Sequence, residues 1–422
     1  MWQSFYNLFV IPFLWTGARV AALFNSKIRR GLRGRKDLFV KLERDVKKLK
    51  HKRRVWFHSS SMGEFEQAKP IIAALRSEYR EIEIIASFFS PSGYDHSKNY
   101  KPASLITYIP FDTKANAARF IDLIKPTAAV MVRYDVWPNH IWALRDRNIP
   151  TFIANATMKS SSTRLRWPWR EFNADLFNQF RSILTVSQKD AEAFTQFNLS
   201  QPQVQAVGET RYDQVWQRSI DARTKHLIPE QVLKRKRVFV VGSSWEEDEE
   251  VVLPTFKKLL QNDANALMIL VPHEPTLEAL ENIEIKLGIK PSSIRFSDLN
   301  DYDGESVILV DSVGILMALY QYAHVAYVGG SFRQGVHNVL EPAVYGIPVL
   351  FGPKHTNSQE AVELARRGGG FVVHDQQECY RVLRSFLRDN AFRREAGEVS
   401  LALVKENIGA TKRFLKHLKA VI

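Results

Sequence analysis

A single cysteine, Cys379, is all the thiol in this chain, so it can form neither an internal disulfide nor a cysteine metal cluster, which fits a reducing cytoplasm. Metal-ligand spacing is missing elsewhere too. The one pair that invites such a reading, Asp301-Tyr-Asp303, lies in a polar loop before a strand, whereas ligand-facing loops of parallel sheets follow strands; we read it as solvated. There is no recognisable nucleic-acid-binding motif, although a net charge of +14 would suit a polyanion. Acidic residues are scarce where basic ones crowd: from Lys27 to Arg54, fourteen Lys or Arg face only Asp37, Glu43 and Asp45, a net +11. Charge of either sign is absent from Met1 to Ala18, which is rich in Trp, Phe, Leu, Ile and Val.

At about 1.5 Å per helical residue, that uncharged stretch nearly crosses a hydrocarbon core before Arg19 interrupts it. A signal peptide carries its positive charge ahead of the apolar run, and here the charge follows, which predicts an uncleaved anchor with its basic side in the cytoplasm. Three placements stay open. Gln3, Ser4, Asn7 and Pro12 weaken a spanning helix, Trp2 and Trp15 suit the headgroup boundary, and simple packing on a globular body would also bury the segment. On an anionic leaflet the basic segment would add roughly 1 kcal/mol per well-placed charge.

The rest is ordinary in composition, 45% hydrophobic and 25% charged, and 422 residues exceed one typical core. Two domains of roughly 150 to 200 residues follow. Short apolar runs at 55–57, 82–88, 105–109, 128–132, 151–154 and 183–186 read as buried strands separated by amphipathic helices, the pattern of βα units and a parallel sheet. A polar, strandless stretch from Trp216 to Arg237 reads as a linker, and a second series follows at 238–241, 267–271, 307–310, 325–328 and 348–351. The tail from Phe392 to Ile422 is helical and basic.

Ligands of such sheets sit where strands end. His58-Ser-Ser-Ser-Met-Gly-Glu64 occupies one such end, with hydroxyls at Ser60 and Ser61 and with Glu64 opening a helix, either as a catalytic carboxylate or as a dipole-stabilised helix start. Arg133-Tyr-Asp-Val-Trp-Pro-Asn139 occupies another. A basic and aromatic run, Lys159, Arg164, Arg166 and Arg170 with Trp167 and Trp169, suits a phosphorylated headgroup or a solvated loop equally. In the second series, glycines at 329, 330 and 335 let the backbone turn sharply after a strand, and Asn338 to Glu341 precede Pro342, so the loop is expected to deliver a phosphate-binding helix N-terminus. Glu341 then either takes a ribose diol or complements the helix dipole.

The stretch Gly329 to Pro353 resembles the C-terminal motif of the 3-deoxy-D-manno-octulosonic acid (Kdo) transferases, and Val310 to Tyr320, Gly208-Glu-Thr-Arg-Tyr-Asp213, Trp137-Pro-Asn139 and Ser59 to Glu64 resemble its other markers in order. The resemblance implies an α/β fold of GT-B type, two Rossmann-like domains facing a cleft: an anchor and basic segment at 1–36, an acceptor domain at 37–220 and a donor domain at 221–422 whose last helix crosses back. It implies inverting transfer of Kdo from CMP-Kdo to a lipid A precursor on the cytoplasmic side of the inner membrane, with anionic lipids as partners and no cofactor. Glu64 would be the base, with Asp135 and Arg211 as further catalytic groups. CMP would be held by Ser243, Pro272, His273, Val313, Gly314, Ile315, Asn338, Val339, Leu340 and Glu341, and the acceptor by Ser60, Ser61 and Arg133. Three positions depart from the family: Arg133 stands for an acid, His273 for a frequent arginine, and Ile315 for a usual glutamate. A UDP-sugar transferase of the same architecture and a non-catalytic membrane scaffold are the rival readings.

Overall fold

A computed structural model describes residues 1–422. Two compact units emerge, Met1–Gln214 with Ile408–Ile422, and Val215–Asn407. The first is built on seven strands, β1 (Arg54–Ser59), β2 (Glu83–Phe88), β3 (Leu105–Tyr108), β4 (Ala128–Val132), β5 (Thr151–Ala156), β6 (Ser182–Thr185) and β7 (Gln203–Ala206), in the order β3-β2-β1-β4-β5-β6-β7. Every pairing is parallel. The strand order reverses between β1 and β4, the switch point at which a crevice opens past the strand ends. The second unit repeats the plan with β8 (Arg237–Ser244), β9 (Ala266–Pro272), β10 (Ser293–Arg295), β11 (Val307–Leu309), β12 (Val325–Val328), β13 (Val349–Phe351) and β14 (Gly370–Val372), ordered β10-β11-β9-β8-β12-β13-β14, and here β8 and β12 flank the reversal.

The central strands are apolar on both faces because helices cover both. In the first unit Trp56, Ile85, Met131 and Ile153 face one cluster while Val55, Phe57, Ile84 and Val130 face the other. Each such side chain, fully buried, contributes about 1.5–3 kcal/mol. Phe414, Leu415 and Leu418 of the helix Ala410–Lys419 complete the second cluster, and Asp213 holds that helix by accepting the N–H groups of Gly409 and Thr411. The strandless stretch from Trp216 is helical as far as Arg223, because the helix Thr210–Arg223 runs across the boundary between the units.

Trp2–Phe24 is one helical run of 23 residues, long and apolar enough to cross a membrane. Its inner face is nonetheless fastened to the body. The Tyr6 hydroxyl donates to Asp112 at 2.9 Å, and Asn7 and Asn139 exchange amide hydrogen bonds at 2.9 and 3.0 Å. Asp112 also accepts the Asn139 and His140 backbone N–H groups, so the Trp-Pro-Asn segment is the dock for this helix. The opposite face leaves Leu8, Phe9, Phe13, Leu14 and Trp15 exposed.

Candidate active site

In the first unit β1 ends at Ser59, and the chain turns through Ser60 and Ser61 into the helix Met62–Glu78. The Ser61 N–H and hydroxyl both donate to Glu64 Oε2, at 2.9 and 3.1 Å, the reciprocal bond that a glutamate three residues into a helix makes to its cap. The helix-start role of Glu64 is therefore real. It uses one oxygen only, and no protein group donates to Oε1. Burial raises the Glu64 carboxyl above its ordinary value, and the nearby Asp135 charge pushes the same way, against the Ser61 bonds and Arg133.

β4 delivers the other groups. Arg133 takes a left-handed backbone (φ 63°), which costs a non-glycine residue roughly 1–2 kcal/mol, and its Nε is buried without a partner. Past that turn, Asp135 Oδ2 lies 2.7 Å from Nε2 of the fully buried His58. The Trp137 indole N–H lies 3.0 Å from the same nitrogen. These contacts are alternatives: a bare Nε2 accepts from Trp137, a protonated one serves Asp135. Asp135 Oδ2 is buried with no aligned donor, and a stranded carboxylate oxygen is the costlier loss, which favours the proton on Nε2. The far side of the ring agrees. Ser87 Oγ accepts the Trp56 indole N–H at 2.8 Å, so its own proton is available to His58 Nδ1, 2.8 Å away.

Arg211 pairs with the buried Glu209 in a turn anchored by Thr210, whose hydroxyl donates to the Gln67 carbonyl at 2.6 Å and accepts from Asn155 at 2.8 Å.

In the second unit the loops after β8, β9 and β12 meet. Ser243 has a left-handed backbone (φ 56°), and a Cβ on Gly329 would lie 2.2 Å from the Ser243 carbonyl oxygen, so this approach requires glycine. Asp248, wholly buried, fastens the loops: it accepts the Trp245 N–H at 3.0 Å, the Gly330 N–H at 2.8 Å and the Tyr327 hydroxyl at 2.8 Å. Above them rings are stacked. The Arg333 guanidinium sits 4.2 Å over Trp245, Trp245 lies 4.4 Å from His273, and His273 stacks on His337 at 4.5 Å and 12°. The Trp245 indole N–H donates to His337 Nε2 at 3.0 Å, so that nitrogen is the acceptor, and burial together with His273 lowers the His337 pKa.

Asn338 orders the next turn, accepting the Leu340 N–H and donating to Glu341 Oε1, both at 3.2 Å. Arg218 stands 4.0 Å from Glu341. The helix expected at Pro342 is a correction: Leu340–Ala343 is a single turn, stopped by Gly346 (φ 72°) and Pro348, too short for the dipole assigned to it. Pro272, Val339 and Leu340 are buried, Val313 and Gly314 are exposed, and the Ile315 side chain packs with Leu316 and Tyr320. The buried Val339 and Leu340 offer a ligand backbone groups and not side chains, and Ile315 is half-buried. Asp301 and Asp303 gather no third ligand residue.

The profile of the 3-deoxy-D-manno-octulosonic-acid transferase (kdotransferase) family matches residues 35–214. A 3-deoxy-D-manno-octulosonic acid transferase of Aquifex aeolicus is 30% identical over 338 residues, 79% of this chain and 86% of that protein. The chain belongs to the Kdo transferase family. As a Kdo transferase it is a glycosyltransferase, and a Haemophilus influenzae relative of the same name is 27% identical over 86% of both chains. The chain spans 59% of a bifunctional glycosyltransferase/methyltransferase of Fusobacterium nucleatum. Among solved structures, the UDP-GlcNAc 2-epimerase of Neisseria meningitidis, bound to UDP-GlcNAc, superposes with a TM-score of 0.60 at 14% identity, covering 87% of this chain and all of that one. The S. aureus MnaA-UDP structure gives 0.56 at 15%, over 87% of this chain and 96% of that one. These likenesses establish the GT-B fold. For this Kdo transferase, the segment Gly242-Ser-Ser-Trp245 reads from sequence as facing the donor, whereas His58, Asp248 and His337 are not legible as site-forming groups. His58 and His337 both lie inside quoted motifs, but each looks in sequence like any polar residue beside a strand.

Proposed function

We propose that the chain transfers Kdo from CMP-Kdo to a lipid A precursor, lipid IVA, with inversion and with Glu64 as the base. The observation that carries this reading is the Glu64 carboxylate at the β1 end, fixed through Oε2, free of protein donors at Oε1 and raised in pKa by burial. Such a group suits removal of a proton from a sugar hydroxyl as that oxygen attacks the anomeric carbon. Asp135 tunes it through its charge, and Arg133, with Ser60 and Ser61, offers a cation and hydroxyls to an acceptor that bears phosphates. Arg211 would stabilise the departing phosphate. On the donor side the His273, His337 and Trp245 stack offers a flat face for a cytosine, Ser243 and the exposed Gly314 are further donor-contact candidates, and Asn338 with Glu341 offers hydrogen bonds to the ribose diol. Incubating purified protein and lipid acceptor with CMP-Kdo or with UDP-sugars tests the reading: release of CMP alone supports it, and release of UDP alone favours the rival transferase.

Glu341→Ala weakens CMP binding by about 1–3 kcal/mol, the usual cost of losing a charge-assisted hydrogen bond. A CMP titration with unchanged affinity removes Glu341 from the site.

The fastening of Tyr6 and Asn7 supports a helix lying in the headgroup boundary, its exposed Leu8, Phe9 and Phe13 in lipid and the basic segment on anionic headgroups of the cytoplasmic leaflet. Phe9→Asp with Phe13→Asp then lowers sedimentation with phosphatidylglycerol vesicles while sparing transfer to a detergent-dispersed acceptor. Undiminished sedimentation contradicts that placement.

A further inference from the structure

The donor loops leave the carboxyl ends of β8, β9 and β12. At the amino ends of β8, β12 and β13 the same unit holds a separate cavity of about 300 Å³, lined among others by Arg223, His324, Tyr345, Asn390, Arg393 and Arg394. No carboxylate lines it. Of the nearby carboxylates, Asp389 caps the helix Asn390–Asn407 by accepting the Ala391 and Phe392 N–H groups at 2.9 and 3.0 Å, Asp263 takes both arms of Arg237, and Glu341, whose charge reaches the Tyr345 ring, stands 4.0 Å from Arg218. That helix has no acid in its first turn, yet Arg393 and Arg394 stand near its positive end, the reverse of what its dipole favours.

Two of the three lining guanidinium groups are held by neutral partners. Arg223 lies 4.7 Å over the Tyr345 ring, and Arg393 Nη1 bonds the Phe386 carbonyl at 2.9 Å. His324 accepts the Val238 N–H on Nδ1 at 3.1 Å, which leaves its proton on Nε2 as a donor. Burial, then Arg237 and Arg394, lowers the Arg393 pKa, and burial, then Arg393 and Arg237, lowers that of His324. Three guanidinium groups thus share one cavity with no carboxylate in its wall, and a phosphate can accept from several at once.

We propose that this cavity binds a phosphate-bearing anion at a site separate from that for the sugar donor. The inference stands on the cavity alone and does not depend on which donor the enzyme uses. The shared chemistry is a phosphate group of two or more accepting oxygens, carried either by a soluble phosphate or by a lipid headgroup.

Titration of the full-length protein with CMP saturating tests it, because CMP removes the donor site as a competitor. One arm uses inorganic phosphate and the other phosphatidylglycerol in detergent micelles. The site predicts saturable binding in at least one arm, weakened about tenfold or more by Arg393→Gln with Arg394→Gln, while the CMP affinity of that variant is unchanged. Binding of inorganic phosphate identifies a soluble ligand, and binding of the micellar lipid alone identifies a headgroup. If the double variant does not fold by circular dichroism, the exposed Arg223→Gln carries the same comparison. No saturable binding in either arm, or binding that the substitutions leave unaltered, overturns the proposal.

Discussion

Glu64→Gln lowers turnover by about 10²-fold or more at saturating donor and acceptor, with CMP affinity little changed. Glutamine keeps the size of the side chain and an oxygen for the Ser61 N–H, so the start of the helix Met62–Glu78 survives. What it loses is proton affinity at the atom no protein donor occupies. Glu66→Gln is the internal control. The Glu66 carboxylate is bound by Lys69 and by Gln214, so this substitution disturbs local packing and not proton transfer, and turnover should stay near the parent value. The same reasoning fixes the pH dependence. A base works when deprotonated, and burial holds the Glu64 pKa above its ordinary value, so the acid limb of kcat is displaced upward from where an unperturbed glutamate would put it. Asp135→Asn removes a negative neighbour and moves that limb down; Arg133→Ala removes a positive one and moves it up. Full turnover of Glu64→Gln in a single-turnover assay contradicts the mechanism.

Asp248→Ala has the largest expected effect on stability. Three donors, the backbone N–H groups of Trp245 and Gly330 and the buried Tyr327 hydroxyl, lose their acceptor at once. Stranded buried donors cost about 1–3 kcal/mol each, and with partial relaxation we expect a loss of about 3–5 kcal/mol, read as an early urea transition. The loops after β8 and β12 should loosen together, so CMP affinity falls as well. A transition moved by less than about 1 kcal/mol would show that these bonds are not what fastens the loops.

The central strands were legible in sequence because each is a short apolar run buried on both faces, as at Ala128–Val132 and Val325–Val328. Of the four edge strands, Leu105–Tyr108 was legible and the other three were not. Gln203-Val-Gln-Ala206 is half polar, Ser293–Arg295 has three residues, and Gly370–Val372 begins with a poor strand former, so pairing to a neighbour and not composition makes each a strand. The turn at Pro342 misled for a related reason: Pro342 reads as a helix opening, and Gly346 closes the helix after one turn. Among the candidate residues, the placement of Glu64, Asp135 and Asn338 past strand ends was legible in sequence. His58 was not, because its significance lies in contacts to Asp135, Trp137 and Ser87, 29 to 79 positions away in sequence. The dock for the N-terminal helix was hidden likewise, since Asn7 and Asn139 are 132 positions apart.

The most direct test of the central claim is the mass of a defined lipid acceptor after one turnover with CMP-Kdo, compared between the parent enzyme and Glu64→Gln. The account predicts that the parent adds the mass of Kdo to the lipid with equimolar release of CMP, and that the variant, at the same donor occupancy, adds almost none. A lipid of unchanged mass with the parent enzyme, or equal product from both proteins, would contradict it.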